Sequence, residues 1–217
     1  MESNAPPAKR PRTDDGPNAA ELPEVITRSE IWHTDGTVVL QAQRTQFRVH
    51  WGLLTMHSSV FKDIYTLPQP NVAGVAVEGC PVVEVHDDSG DWKHLLEVLY
   101  DGTILTEETL QFSLVAALIR LGRKYDFIKL LKAAVNRLTH DYPSTLALID
   151  ARQRADFSLN ITPYPGIHFD VLSMAREHSI LSVLPVAYYW MMRAYPQTSW
   201  FDGMKRPDGT FCPLGAG

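Results

Sequence analysis

Phe47-Arg48-Val49-His50-Trp51-Gly52-Leu53-Leu54-Thr55-Met56-His57-Ser58-Ser59-Val60-Phe61 is the stretch whose reading decides the fold of this chain. Phe47, Val49 and Trp51 alternate with polar or small neighbours, the two-residue period of a half-buried strand. Leu53, Leu54 and Met56 then give way to Ser59–Ile64, where Phe61 and Ile64 fall on one helical face. The stretch therefore runs from sheet into helix. Upstream, Val38 and Leu40 repeat the strand period, with Gln43-Arg44 as the turn between the two strands. Downstream, Val82–Val85 reads as a third strand. Asp88-Ser89-Gly90-Asp91 supplies cap residues for a helix carrying Trp92, Leu95, Leu96 and Leu99 at i, i+3, i+4 and i+7. Tyr100-Asp101-Gly102 closes that helix, and nothing between Asp35 and Gly102 looks catalytic.

Length and composition set bounds. At 217 residues and 24.4 kDa, with 45% apolar residues, the chain fits one domain with an extension or two small ones. A formal charge of -5 and a pI near 5.9 provide no positive field to attract nucleic acid, so no direct nucleic-acid partner is expected. Cys80 and Cys212 stand far apart with no second pair, which suits a reducing compartment. Met1–Arg12 holds no apolar run of signal-peptide type, and Val183–Met192 falls short of the roughly 20 residues a membrane span needs. The expectation is an intracellular protein of cytoplasm or nucleus with no membrane partner.

Residues 1–27, with five prolines and few large apolar groups, read as a disordered tail. Within it Lys9, Arg10 and Arg12 resemble a short nuclear localisation signal, and a solvated charge cluster is the other reading. Thr66–Pro81 reads as an excursion before the third strand. From Thr106 the pattern turns helical, with Glu107 and Glu108 placed in the first turn and Leu114, Ala117, Leu118 and Leu121 as the stripe. Gly122 and Tyr125-Asp126 end that helix, and Ile128, Leu131, Val135 and Leu138 form the next stripe. Beyond residue 140, Leu146 and Ile149 suggest a short helix and Pro163 and Pro165 a break. Val171, Leu172, Ala175 and Arg176 mark a further helix, and Ser182–Tyr195 a last one that tolerates Pro185 only near its first turn. Residues 203–217 read as a flexible tail. No internal repeat is evident, which argues against a solenoid or propeller.

Asp35–Val39, Phe47–His50, Leu53-Leu54, Ser59–Phe61 and Leu95–Gly102 together resemble a BTB/POZ domain. Glu78-Gly79 ahead of Pro81–Val83 is similar to the BTB proteins expanded in basidiomycete fungi. Ala175–His178 with Ile180-Leu181 and Leu184–Tyr188 resembles the helical segment that follows the domain in the same proteins. The resemblance implies an α+β fold, a small β-sheet flanked by α-helices over residues 28–139, with a helical extension over 140–202. It implies a module for protein–protein association, not an enzyme, that forms a homodimer and recruits another protein. In such dimers the contact uses an N-terminal helix, for which Val25–Trp32 is the candidate here, and the helix after the histidine. The implied interface residues are Ile31, Trp32, Asp35, Trp51, Leu53, Leu54 and Met56.

The resemblance also assigns His50 a structural role at the strand-to-helix junction. Asp35 matches the aspartate of a charged groove in transcriptional members, but Trp51 stands where those members carry a cation. Cullin-binding members carry a hydrophobic-x-Glu element where this chain has Leu67-Pro68-Gln69-Pro70. An adaptor for a cullin-type ubiquitin ligase and a nuclear transcriptional regulator are the alternative roles.

Rival chemistry has thin support in the sequence. A hydrolase would need Cys80 beside a histidine, yet no nucleophile signature surrounds it. His86-Asp87-Asp88 with His94, or His50 with His57, lacks the spacing of a zinc site, so no metal or cofactor is expected. His86-Asp87-Asp88 reads instead as a strand end and a helix cap. Tyr188, Tyr189 and Trp190 cannot share one helical face, which leaves part of that trio for an interface or for core packing.

Overall fold

The computed structural model describes residues 25–67, 76–152, 158–202, 204–206 and 209–212. Its sheet is built from Thr27–Trp32 (β1), Val38–Ala42 (β2), Thr45–Val49 (β3), Ala76–Val77 (β4) and Cys80–Val85 (β5), in the order β1-β3-β2-β5-β4. β2 and β3 pair antiparallel, with Leu40 opposite Phe47 and Val38 opposite Val49, and Gln43 takes the left-handed conformation that closes the hairpin. β5 joins the other edge of β2 in parallel. β2 is thus central, and its Val38, Val39 and Leu40 are all buried, as a strand covered on both faces requires.

β1 corrects one expectation. Val25–Trp32 is no helix: Thr27–Trp32 lies parallel to β3, fixed by Thr27 N–H to the Arg44 carbonyl at 2.7 Å and His33 N–H to the Arg48 carbonyl at 3.0 Å. Thr-Arg-Ser-Glu has no apolar stripe to hold a helix, whereas β3 offers a free edge that completes its backbone bonds. Trp51 is the second correction. It opens the helix Trp51–His57 (α1) instead of prolonging β3, because its N–H is taken by Thr37 Oγ1 at 3.0 Å.

Ser59–Thr66 (α2) follows at once. Ser58 caps it, accepting from Phe61 N–H at 3.0 Å while its hydroxyl donates to the Tyr125 carbonyl at 2.5 Å. Ser89–Tyr100 (α3) is capped by Asp88, which accepts from Gly90 and Asp91 N–H as the sequence suggested. A 3₁₀ turn at Gly102–Thr106 leads to Phe112–Lys124 (α4) and Ile128–Asp141 (α5). Two expectations fail here. Glu107 and Glu108 precede α4, since the Arg137 guanidinium on α5 gathers the carbonyls of Leu105, Glu107 and Glu108 into a loop. Ile128 leaves the expected stripe of α5 and is 61% exposed, whereas Leu131 and Val135 pack part-buried on the core and Leu138 is buried, joined by Leu130 and Ala134.

The extension consists of Leu146–Arg152 (α6), Ile167–Glu177 (α7), Leu184–Ala194 (α8) and Gln197–Asp202 (α9). Pro185 sits in the first turn of α8, where its missing amide costs nothing. Within the stretch read as a flexible tail, Met204–Lys205 (β6) pairs with Phe211–Cys212 (β7), and Arg206 forms an ion pair with Asp170 of α7.

One apolar core runs from Val38 on β2 to Met191 on α8. Phe61 is central, packed against Trp92, Tyr125 and Phe127 at centroid distances of 5.8, 5.3 and 6.0 Å. Gly122 lets α5 approach α4, because a Cβ there would lie 3.0 Å from Leu131 Cβ. The extension is sewn on by a parallel bridge between Leu110 and Ile161 and by Asp141, which accepts from the N–H groups of Asn160 and Ile161 at 2.9 Å.

Candidate interaction surface

α1 and α2 form a tight helical hairpin outside the sheet, and its apolar residues divide between core and solvent. Leu54 is fully buried, three residues on from Trp51, and so belongs to the core and not to a docking face. This corrects its place among the interface residues. Leu53 is half-buried, and Met56 is 76% exposed. The Trp51 indole is half-buried, its edge on Phe61 at 6.3 Å and its other neighbour Tyr65 at 5.5 Å. Tyr65 and Leu67, 60% and 62% exposed, continue the apolar character toward solvent, although sequence reasoning did not single them out. The sequence carried little sign of them, since Tyr65 stands four residues on from Phe61, at the flank of the face that Phe61 and Ile64 turn inward.

Around the junction of β3 and α1, His50 is held from two sides. Its Nδ1 shares a 2.7 Å hydrogen bond with Tyr100 Oη, which also accepts from the His50 backbone N–H, and its Nε2 lies 3.3 Å from Asp35 Oδ1. His33 stacks on Tyr100 at 4.1 Å. The histidine thus ends α3, opens α1 and meets β1 in one contact network, which is the structural role expected of it. Asp35 stays exposed, its carboxyl held below the usual range by a local backbone hydrogen bond and then by His50. Burial raises the Tyr100 phenol.

Ile31 and Trp32 are half-buried at the end of β1. Ile31 packs on the core, while Trp32 lies under the Arg28 guanidinium at 4.5 Å, and Arg28 is itself paired with Glu78 at 2.7 Å. Beside them, Ile31, His33, Leu96, Tyr100 and Ile104 line a shallow groove of about 420 Å³. Trp51 and Met56 lie on the hairpin with Tyr65 and Leu67, and Ile31 and Trp32 lie on the outer strand.

The Cys80 thiol is buried and donates to the Gly36 carbonyl at 3.1 Å. Asp87 accepts from Lys124 and from the Tyr125 hydroxyl, each at 2.6 Å. Among the described residues no three His, Cys, Asp or Glu side chains converge as metal ligands, and no helix is long and apolar enough to cross a membrane. Tyr188, Tyr189 and Trp190 are all half-buried. Lys9, Arg10, Arg12 and residues 68–70 lie outside the described residues.

A family model for the BTB/POZ domain matches residues 30–141, from within β1 to the last residue of α5. No curated protein matches the chain.

Proposed function

Because this chain belongs to the BTB/POZ domain family, whose domains are protein–protein interaction modules, we propose that it self-associates as a twofold dimer through the α1–α2 hairpin and holds a second protein on its helical extension. The supporting observation is the group of Met56, Tyr65 and Leu67, large apolar side chains left in solvent on one helical hairpin beside the half-buried Trp51. Scattered apolar exposure is normal, but a set of this kind on one supersecondary unit marks a surface that another protein covers. A twofold contact uses the same patch on both copies, and tyrosine and tryptophan are the side chains that dominate such contacts. The exposed Leu146, Leu148, Leu181 and Met192 offer the extension's own apolar sites for a partner.

Light scattering across a concentration series tests the first half of this reading. The expected mass is twice the 24.4 kDa of the chain, and Met56→Glu combined with Tyr65→Glu should return the single-chain mass while leaving the circular dichroism spectrum unchanged. A single-chain mass for the unaltered protein at every concentration would remove the proposal.

A further inference from the structure

The helical extension frames a half-open cavity of about 310 Å³ between the end of α5, the end of α6, the segment before α7 and the residue after α8. Its wall carries Asp141, Tyr142, Arg152, His168 and Tyr195. Arg152 is the unusual member. Its guanidinium carbon lies 5.1 Å from the centre of the Tyr142 ring and 4.8 Å from that of Trp190, and its Nη1 is buried without a hydrogen-bond partner among the described residues. Aromatic faces attract the flat side of a guanidinium, but its N–H donors point along the edge and need an acceptor there. A buried donor left unmatched is costly, and native interiors rarely leave one so.

The only carboxylate of the wall named above does not fill that need. Asp141 is engaged elsewhere, accepting from Asn160 N–H and Ile161 N–H at 2.9 Å, with His140 Nδ1 at 3.0 Å. Tyr142 Oη and His168 Nδ1 are joined to each other at 2.8 Å. Burial pushes the His168 imidazole down to about 4, so no second cation stands in the wall at neutral pH.

We infer that this cavity is a carboxylate-binding pocket in which the Arg152 guanidinium, steadied by the Tyr142 and Trp190 rings, takes the charge of the ligand. Planar, bidentate recognition of a carboxylate is what an oriented guanidinium does best. A doubly charged phosphate fits worse: one cation would face two negative charges with Asp141 already present, and the excess would stay uncompensated away from water. The volume suits a small organic acid or one acidic side chain of a partner, two sources of the same group.

The test uses the full chain labelled with nitrogen-15, observing arginine and tryptophan side-chain resonances at fixed ionic strength. Sodium acetate, the peptide acetyl-Ala-Glu-Ala-amide and sodium phosphate are titrated separately, with sodium chloride as the reference. Saturable shifts at Arg152 with acetate identify a free acid as a sufficient ligand. Saturation with the peptide alone identifies an acidic side chain. Both results support the pocket. Arg152→Gln should weaken binding about tenfold or more. Arg123→Gln should leave it unchanged, since Arg123 is exposed on α4 and is no part of the cavity wall. Absence of saturation with either carboxylate, tighter binding of phosphate than of acetate, or equal binding by Arg152→Gln overturns the inference. The titrations of the unaltered protein decide the matter even if Arg152→Gln fails to fold.

Discussion

Two groups of aromatic rings, one early and one late in the chain, put the same residue types to different uses. Phe61, Trp92, Tyr125 and Phe127 close on one another, and the polar tip of that group, Tyr125 Oη, is bound to Asp87 at 2.6 Å. Tyr142, Trp190 and Tyr195 surround ionisable groups instead, and burial raises the Tyr142 phenol while lowering His168 and Arg152. The first group is packing, carbon against carbon, with the Tyr125 hydroxyl paired and the Trp92 indole N–H turned into the core without a hydrogen-bond partner among the described residues. The second holds charge-bearing groups away from water, a state that proteins maintain chiefly where something binds. Ring count alone does not distinguish a core from a site. What the rings enclose does.

The sharpest attack on the first group is Phe61→Ala, which empties a fully buried site at its centre and should cost about 3–5 kcal/mol in urea denaturation. A loss under half of that would show the group to be loosely packed. Gly122→Leu drives a side chain into Leu131, only 3.0 Å from the new Cβ, and should cost roughly 1–3 kcal/mol by overpacking, seen as a lower melting temperature.

The second group should respond to acidity where the first does not. His168 titrates at about 4 in the folded chain against 6.5 for a free imidazole. As pH falls below the free value the unfolded chain takes up the proton first, so stability is complete above pH 6.5 and declines toward pH 4. Between pH 7 and pH 5 the loss should be roughly 1–2 kcal/mol after solvent screening. His168→Gln, which can still meet Tyr142, should flatten that slope in thermal melts. The smallest expected effect is that of Ser58→Ala, which removes the α2 cap and the bond to the Tyr125 carbonyl beside the first group. A loss of about 1 kcal/mol is expected, and chemical denaturation measures it.

Legibility in the sequence followed the range of the interactions. β2, β3 and α3 could be read because each carries its own period and its own turn or cap: Leu40 with Phe47 across Gln43, and Asp88 ahead of Trp92. β1 could not, since its assignment rests on the free edge of β3 and nothing in Thr27–Trp32 announces it. Glu107 and Glu108 look like a helix start until Arg137, about thirty positions later, takes their carbonyls. For the surface, Met56 was readable as an apolar residue on α1, yet the burial of Leu54 required knowing which side of that helix faces Phe61 and the sheet. Arg152 was not readable at all, because its significance lies in Tyr142 and Trp190, which only the tertiary fold brings to it.

The bridge between Leu110 and Ile161 bears on how the molecule can be dissected at the bench. A fragment cut after the final turn of α5 would strip Leu110 of both its backbone mates, Asn160 O and Thr162 N at 2.9 Å, and take one acceptor from Arg137. It would also uncover Phe112, which packs on Tyr164. Such a truncated piece would carry a raw apolar seam and self-adhere for reasons unrelated to the native contact, so assembly state is best judged on the uncut polypeptide.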